Sequence, residues 1–142
     1  MKNMLVILIT VCCLFNLSGV KAQDFAGVYK TEFNTKNAEI QYTLELTADG
    51  RFSFHQFEDH QCDSCEVKNK YAKGRWVADD LAIIFYTDRE DLDEKFTLDF
   101  TNSGARYLTK SARDRSDRVV RTRLQFFKSD IFYLKGVEFF KQ

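Results

Sequence analysis

The sequence predicts an all-β protein, an antiparallel up-and-down meander barrel of eight or nine strands. After residue 22, apolar residues alternate with polar ones through most of the chain, and no window holds a helical period over three turns. The links between the alternating segments are alternately long and short. In an up-and-down sheet such links fall at opposite ends, which predicts a cup with tight turns at one end and longer loops at the other.

Residues 1–22 are predicted to be a signal peptide. A positively charged start precedes an apolar run at residues 4–17, and Val20-Lys21-Ala22 suits cleavage before Gln23. The apolar run is shorter than the roughly 20 residues that cross a bilayer. We therefore expect an exported protein, periplasmic or extracellular, with no membrane anchor after cleavage and one domain over residues 23–142.

The strands are predicted in order from the alternation of apolar and polar residues. The chain has no proline, so its turns must use Gly, Asn and Asp, and the clearest hairpin surrounds Asp49-Gly50. The predicted strands cover residues 26–33, 42–46, 51–55, 70–77, 81–87, 96–100, 105–111, 120–126 and 131–141. The short links are Asp49-Gly50, Asp79-Asp80, Asn102-Ser103-Gly104 and Lys128-Ser129-Asp130, and the longer ones are residues 34–38, 59–69, 88–93 and 112–118.

Several of these segments resemble one known family. Gly27-Val28-Tyr29 at the first strand is similar to the Gly-x-Trp/Tyr start of lipocalin-like proteins. Leu44-x-Leu46-x-x-Asp49-Gly50-x-Phe52, then Gly74-Arg75-Trp76, then Asp80-Leu81-x-Ile83 resembles small secreted bacterial lipocalin-like domains. The resemblance covers residues 27–85. It implies a meander barrel that binds a small apolar or amphipathic molecule.

Six phenylalanines are candidates for the lining of such a cavity. They are Phe52, Phe54, Phe85, Phe96, Phe100 and Phe126. An eight-stranded barrel is just wide enough to be filled by side chains or to hold one small ligand. Two function classes therefore stay open: a binding module for an apolar or amphipathic ligand, and a structural or protein-interaction domain with a packed core.

Two cysteines remain after cleavage, Cys62 and Cys65, both in the longest predicted loop. An oxidising compartment favours a local disulfide between them, which stabilises the fold by about 2 kcal/mol. A zinc or copper site formed by His55, His60 and the two cysteines is a second interpretation. A redox-active cysteine pair is a third.

Charge is balanced globally and uneven locally. The chain holds 21 basic and 21 acidic residues, and cleavage removes Lys2 and Lys21, so the exported domain is slightly acidic. We expect no nucleic-acid partner. Acidic residues concentrate in residues 79–99 and basic residues in 106–123. If the loops of these regions share one rim they attract each other; an arginine cluster that recruits an anionic ligand is the alternative.

Catalytic signatures are missing from the sequence. It has neither a Gly-x-Ser-x-Gly elbow nor a glycine-rich phosphate loop, and only two histidines. We therefore expect no enzymatic activity and no cofactor.

Overall fold

The computed structural model describes residues 22–142, and the predicted signal peptide, apart from its last residue, lies outside the described residues. The elements are helix α1 (Ala22–Phe25), β1 (Gly27–Thr35), β2 (Ala38–Leu46), β3 (Arg51–His60), β4 (Lys68–Asp79), β5 (Ala82–Tyr86), a 3-10 helix (Arg89–Asp91), β6 (Gly104–Leu108), β7 (Arg123–Lys128) and β8 (Glu138–Lys141). The eight strands form a closed antiparallel barrel in chain order, with β8 paired to β1. The predicted up-and-down barrel is confirmed. No helix within the described residues is long and apolar enough to cross a membrane.

The first four strands are joined by local hairpins. The Asp49-Gly50 hairpin is confirmed: Gly50 takes a φ of +84°, which an L side chain rarely adopts. The turn is attached to β4, because Trp76 Nε1 donates to the carbonyl of Thr47 at 3.0 Å. The longer link expected at residues 34–38 is wrong, since β1 and β2 pair as far as Thr35↔Ala38. Both faces of the sheet meet water there, so polar residues can continue the ladder.

The second half of the barrel differs from the prediction. β5 ends at Tyr86, and residues 87–103 form one long connection to β6. The strand expected over residues 96–100 is wrong: a single parallel bridge, Tyr71↔Phe96, is present. The amides of Thr97 and Leu98 both donate to the carbonyl of Tyr71, at 3.1 and 3.2 Å. The segment therefore covers the part of the β4 edge that the short β5 leaves free, and it does not form a ladder.

The last connections also depart from the prediction. The closing strand expected over residues 131–141 is shortened to β8, because residues 129–137 form a turn that buries Leu134. Consecutive strands run in opposite directions, so residues 87–103 and 109–122 leave opposite ends of β6. The acidic and basic loops therefore do not share one rim, as the sequence pattern suggested.

β4 and β5 approach each other closely at Gly74. A Cβ atom on Gly74 would lie 2.1 Å from the carbonyl oxygen of Tyr86 and 2.8 Å from the ring of Phe52. No side chain can fit between these strands. The glycine of the Gly74-Arg75-Trp76 motif is thus required by the packing of the barrel wall.

Candidate functional site

Five of the six predicted cavity residues lie together in the barrel interior. The side chains of Phe52, Phe54, Phe85, Phe100 and Phe126 are all at most 3% exposed. Phe100 lies among them, with its ring centroid 5.2 Å from Phe52, 4.9 Å from Phe54 and 5.8 Å from Phe85. These are the separations of rings in direct contact. The interior at this level is therefore occupied by the protein's own side chains.

Phe96 lies apart from the other five. Its ring packs against Tyr71 on the outer surface, with the ring centroids 6.0 Å apart, and Lys73 Nζ lies 4.3 Å above it. The alternation that places Phe100 inward predicts the same for Phe96, four residues earlier. The prediction fails because residues 96–100 do not keep a strand conformation.

Aromatic residues also close both ends of the interior. At the end near α1, the buried ring of Phe25 packs edge-on against Trp76 and Tyr107, with centroids 6.3 and 4.9 Å away. At the opposite end, Tyr42 lies 6.1 Å from Tyr133 in the β7–β8 connection. The rings therefore extend the packed core from one end of the barrel to the other.

The side chains of β3 that point into the barrel change from apolar to polar at the end near Tyr42 and Tyr133. Gln56 is 1% exposed; its Oε1 accepts a hydrogen bond from the Tyr133 hydroxyl at 2.6 Å, and its Nε2 donates to Glu58. Burial, together with Tyr133 and Glu58, raises the pKa of Tyr42 to about 12. Burial also raises the pKa of Tyr133, so both tyrosines stay neutral at physiological pH. Period-two alternation places Gln56 inward, but Gln56 was not among the predicted site residues.

The four candidate metal ligands do not converge. Cys62 and Cys65 form a disulfide, as expected, so neither sulfur is a free thiolate. The ring of His55 stacks on Tyr71 on the outer face, whereas His60 Nε2 lies 3.5 Å from a carboxylate oxygen of Glu58. Within residues 22–142 no group of three or more His, Cys, Asp or Glu side chains is placed to hold a metal ion.

The acidic connection after β5 is attached to basic side chains of β3 and β4. Arg51 Nη2 donates to Asp91 Oδ1 at 2.8 Å, and Arg75 Nε donates to Asp88 Oδ2 at 3.0 Å. Burial opposes the charged form of Asp91, but the amide of Asp88 and the Arg51 guanidinium outweigh it and lower the pKa of Asp91. In the basic loop, Asp114 pairs with Arg118 at 2.9 Å. Part of the charge of each loop is thus paired within or close to that loop.

An outer groove lies where β8 meets β1, and no local sequence pattern indicates it. Three surface clefts of about 500, 470 and 370 Å³ share the side chain of Phe140, and we call them together the Phe140 groove. Its other polar and aromatic walls include Lys30, Thr31, Phe33, Arg121, Arg123, Lys135 and Glu138. The groove exists because β8 is short, and strand length is what the alternation pattern predicted least well.

Comparison with known proteins adds no relative: no protein family, curated protein or solved structure matches the chain.

Proposed function

We propose that this protein is an exported, non-catalytic binding domain that contacts a macromolecular partner through the outer surface of a lipocalin-like barrel. The observation that carries the proposal is the position of Phe100, whose ring contacts Phe52, Phe54 and Phe85 in the middle of the barrel. A small apolar ligand could enter the same space only if these rings moved. The packed-core class is therefore favoured over the internal ligand.

The rest of the molecule supports a rigid scaffold. Gln56 and Tyr133, two polar groups near one end of the interior, satisfy each other by a hydrogen bond. In the part of the chain that the structure describes, no buried side-chain nitrogen or oxygen lacks a hydrogen-bond partner. Binding sites usually combine an apolar pocket with a few placed polar groups, and in the middle of the barrel the contacting rings of Phe100, Phe52 and Phe54 occupy the space of such a pocket.

The proposal is tested by titrating the exported protein with the apolar fluorescent probe N-phenyl-1-naphthylamine. We expect no saturable uptake by the parent protein. Phe100→Ala is the matched variant, because it opens a dry apolar cavity of the kind that accepts small aromatic molecules. The opposite result would be that the parent binds one probe molecule per chain and that a folded Phe54→Asp variant does not. This result would favour an internal ligand.

A further inference from the structure

One edge of β1 is unpaired over its second half. β8 pairs only with Tyr29 and Lys30 of β1, whereas β2 pairs with β1 as far as Thr35. The amide of Gln142 donates to the carbonyl of Val28 at 2.9 Å, so the backbone groups of Val28 point toward β8. Alternate residues of a strand point their backbone groups to the same side. The N–H and C=O groups of Glu32 and Asn34 therefore point toward β8 as well, beyond the end of its ladder.

The charge pattern disfavours a longer ladder between β1 and β8. Continuing the register Lys30↔Phe140 by two residues would place Glu32 opposite Glu138. Two carboxylates directly across an antiparallel pair are destabilising. Glu138 instead accepts a hydrogen bond from Arg123 Nε at 3.1 Å. The backbone also turns away at this point, because Gly136 takes a φ of +86° and its amide donates to the carbonyl of Phe126 at 2.7 Å.

The open edge borders a cleft whose lining includes two aromatic side chains, Phe33 and Phe140. The cleft of about 500 Å³ in the Phe140 groove lies between Thr31 and Phe33 on β1 and residues 135–138 on the other side. The side chain of Phe33 is 41% exposed there. An exposed strand edge is a template for another strand, and natural proteins usually protect such edges. Here the edge is left uncovered by any of residues 22–142.

The groove carries positive charge without acidic partners. Lys30, Arg121 and Lys135 take part in none of the ion pairs of residues 22–142, and the Arg121 guanidinium lies 4.5 Å above the ring of Phe140. Two carboxylates line the groove, Glu32 and Glu138. Glu138 forms an ion pair with Arg123, whereas Glu32 takes part in none of the ion pairs of residues 22–142. The groove therefore favours a negatively charged occupant.

We infer that the β1 edge binds an extended, acidic segment of a partner protein as an added β-strand. This inference rests on the proposed function and names the partner's chemistry. Main-chain hydrogen bonds would form with Glu32 and Asn34, and side chains on alternate positions would give the specificity. Acidic side chains on the outer face meet Lys30 and Arg121, a neutral side chain of the segment lies opposite Glu32 on that face, and apolar side chains on the other face meet Phe33.

The test uses a synthetic eight-residue peptide with blocked ends that alternates valine with glutamate and has threonine at one central glutamate position, so that no carboxylate need lie opposite Glu32. Titration of the exported protein by calorimetry and by amide NMR should show saturable binding that weakens with salt, with the largest amide shifts at Glu32 and Asn34. A version with lysine in place of glutamate should not bind. A version with N-methyl groups on alternate residues should not bind either, because it cannot complete the ladder.

Matched variants locate the site. Lys135→Glu should weaken binding of the Val/Glu peptide by about tenfold or more, because it places like charge against the peptide. Arg89→Glu, which makes the same charge change outside the groove, should leave the affinity unchanged. Glu32→Pro removes an amide donor that faces the open edge and no donor of the β1–β2 ladder, so it should fold and lose the peptide.

Three results would overturn the inference. They are equal binding of the N-methylated peptide, an affinity that Lys135→Glu leaves unchanged, and a concentration-dependent dimer that Glu32→Pro abolishes, which would make a second copy the occupant. Uptake of the naphthylamine probe is measured separately. If the parent takes up no probe and these peptides also fail to bind, only the strand-addition site is lost and the solid-core proposal stands.

Discussion

The two halves of the barrel are closed by different means. Strands β1 to β4 contain 9, 9, 10 and 12 residues, whereas β5 to β8 contain 5, 5, 6 and 4. The first half is held by continuous backbone ladders between neighbouring hairpins. The second half depends on side chains that its long connections insert into the core, above all Phe100 and Leu134, both 0% exposed. Buried side chains from the connections can thus take the place of backbone ladder, but the short strands leave the edge of β1 uncovered.

The strongest test of this comparison removes a side chain that a connection supplies. Phe100→Ala should lower the free energy of unfolding by about 3 to 5 kcal/mol, because the ring is fully buried among other rings. Phe96→Ala is the matched control from the same connection and should cost less than about 1.5 kcal/mol, because its ring is on the outer surface. Urea unfolding measures both changes. Equal costs would show that the two rings have equivalent surroundings and would break the comparison.

A second test concerns the attachment of the same connection to the first half. The pKa of Asp91 is lowered in the folded protein, so its ionised form stabilises the fold above the ordinary aspartate pKa of about 3.9, and this stability is lost as the pH falls through the lowered value. Asp91→Asn should cost about 1 to 3 kcal/mol at pH 7.

The pH profile of the Asp91 variant supplies the control. Its stability should fall less steeply than that of the parent between about pH 5 and pH 2, since the group that must be protonated is absent. Asp99→Asn, in the same connection, should leave the profile unchanged. A parallel loss of stability in the parent and in Asp91→Asn on acidification would contradict the role of this carboxylate.

The sequence predicted the first half of the fold better than the second, for a physical reason. The β2–β3 hairpin is local: Asp49-Gly50 specifies the turn and alternating residues specify the faces, so no distant contact is needed. Residues 96–100 show the same alternation, but whether they pair depends on where β5 ends, and that is set by contacts far along the chain. The alternation of residues predicts both side chains to point inward, which is correct for Phe100 and wrong for Phe96.

The Phe140 groove could not be predicted from local sequence patterns either. It depends on the register between β1 and β8, the two ends of the chain, and on the opposition of Glu32 and Glu138 that this register creates. No local pattern contains that information. The disulfide of Cys62 and Cys65, three residues apart in a loop, was by contrast predictable from spacing and compartment.

A smaller effect on stability is expected at Glu32, which a longer β1–β8 ladder would place opposite Glu138. Glu32→Lys replaces an opposed carboxylate by a favourable partner for Glu138 and should raise the free energy of unfolding by about 0.2 to 1 kcal/mol. Glu45→Lys, which makes the same charge change on β2 where the opposed residues are Val28 and Ser53, is the control and should give no comparable gain. If Glu32→Lys is destabilising, repulsion is not what ends the β1–β8 pairing.

Amide hydrogen exchange along β1 tests most directly the claim that the second half of the barrel stops short of this strand. The amides of Thr31 and Phe33 point into the β1–β2 ladder and should be strongly protected. Those of Glu32 and Asn34 point to the open edge and should exchange at least about tenfold faster after correction for intrinsic rates. Uniform protection of all four amides would show that the edge is already covered and would contradict the account.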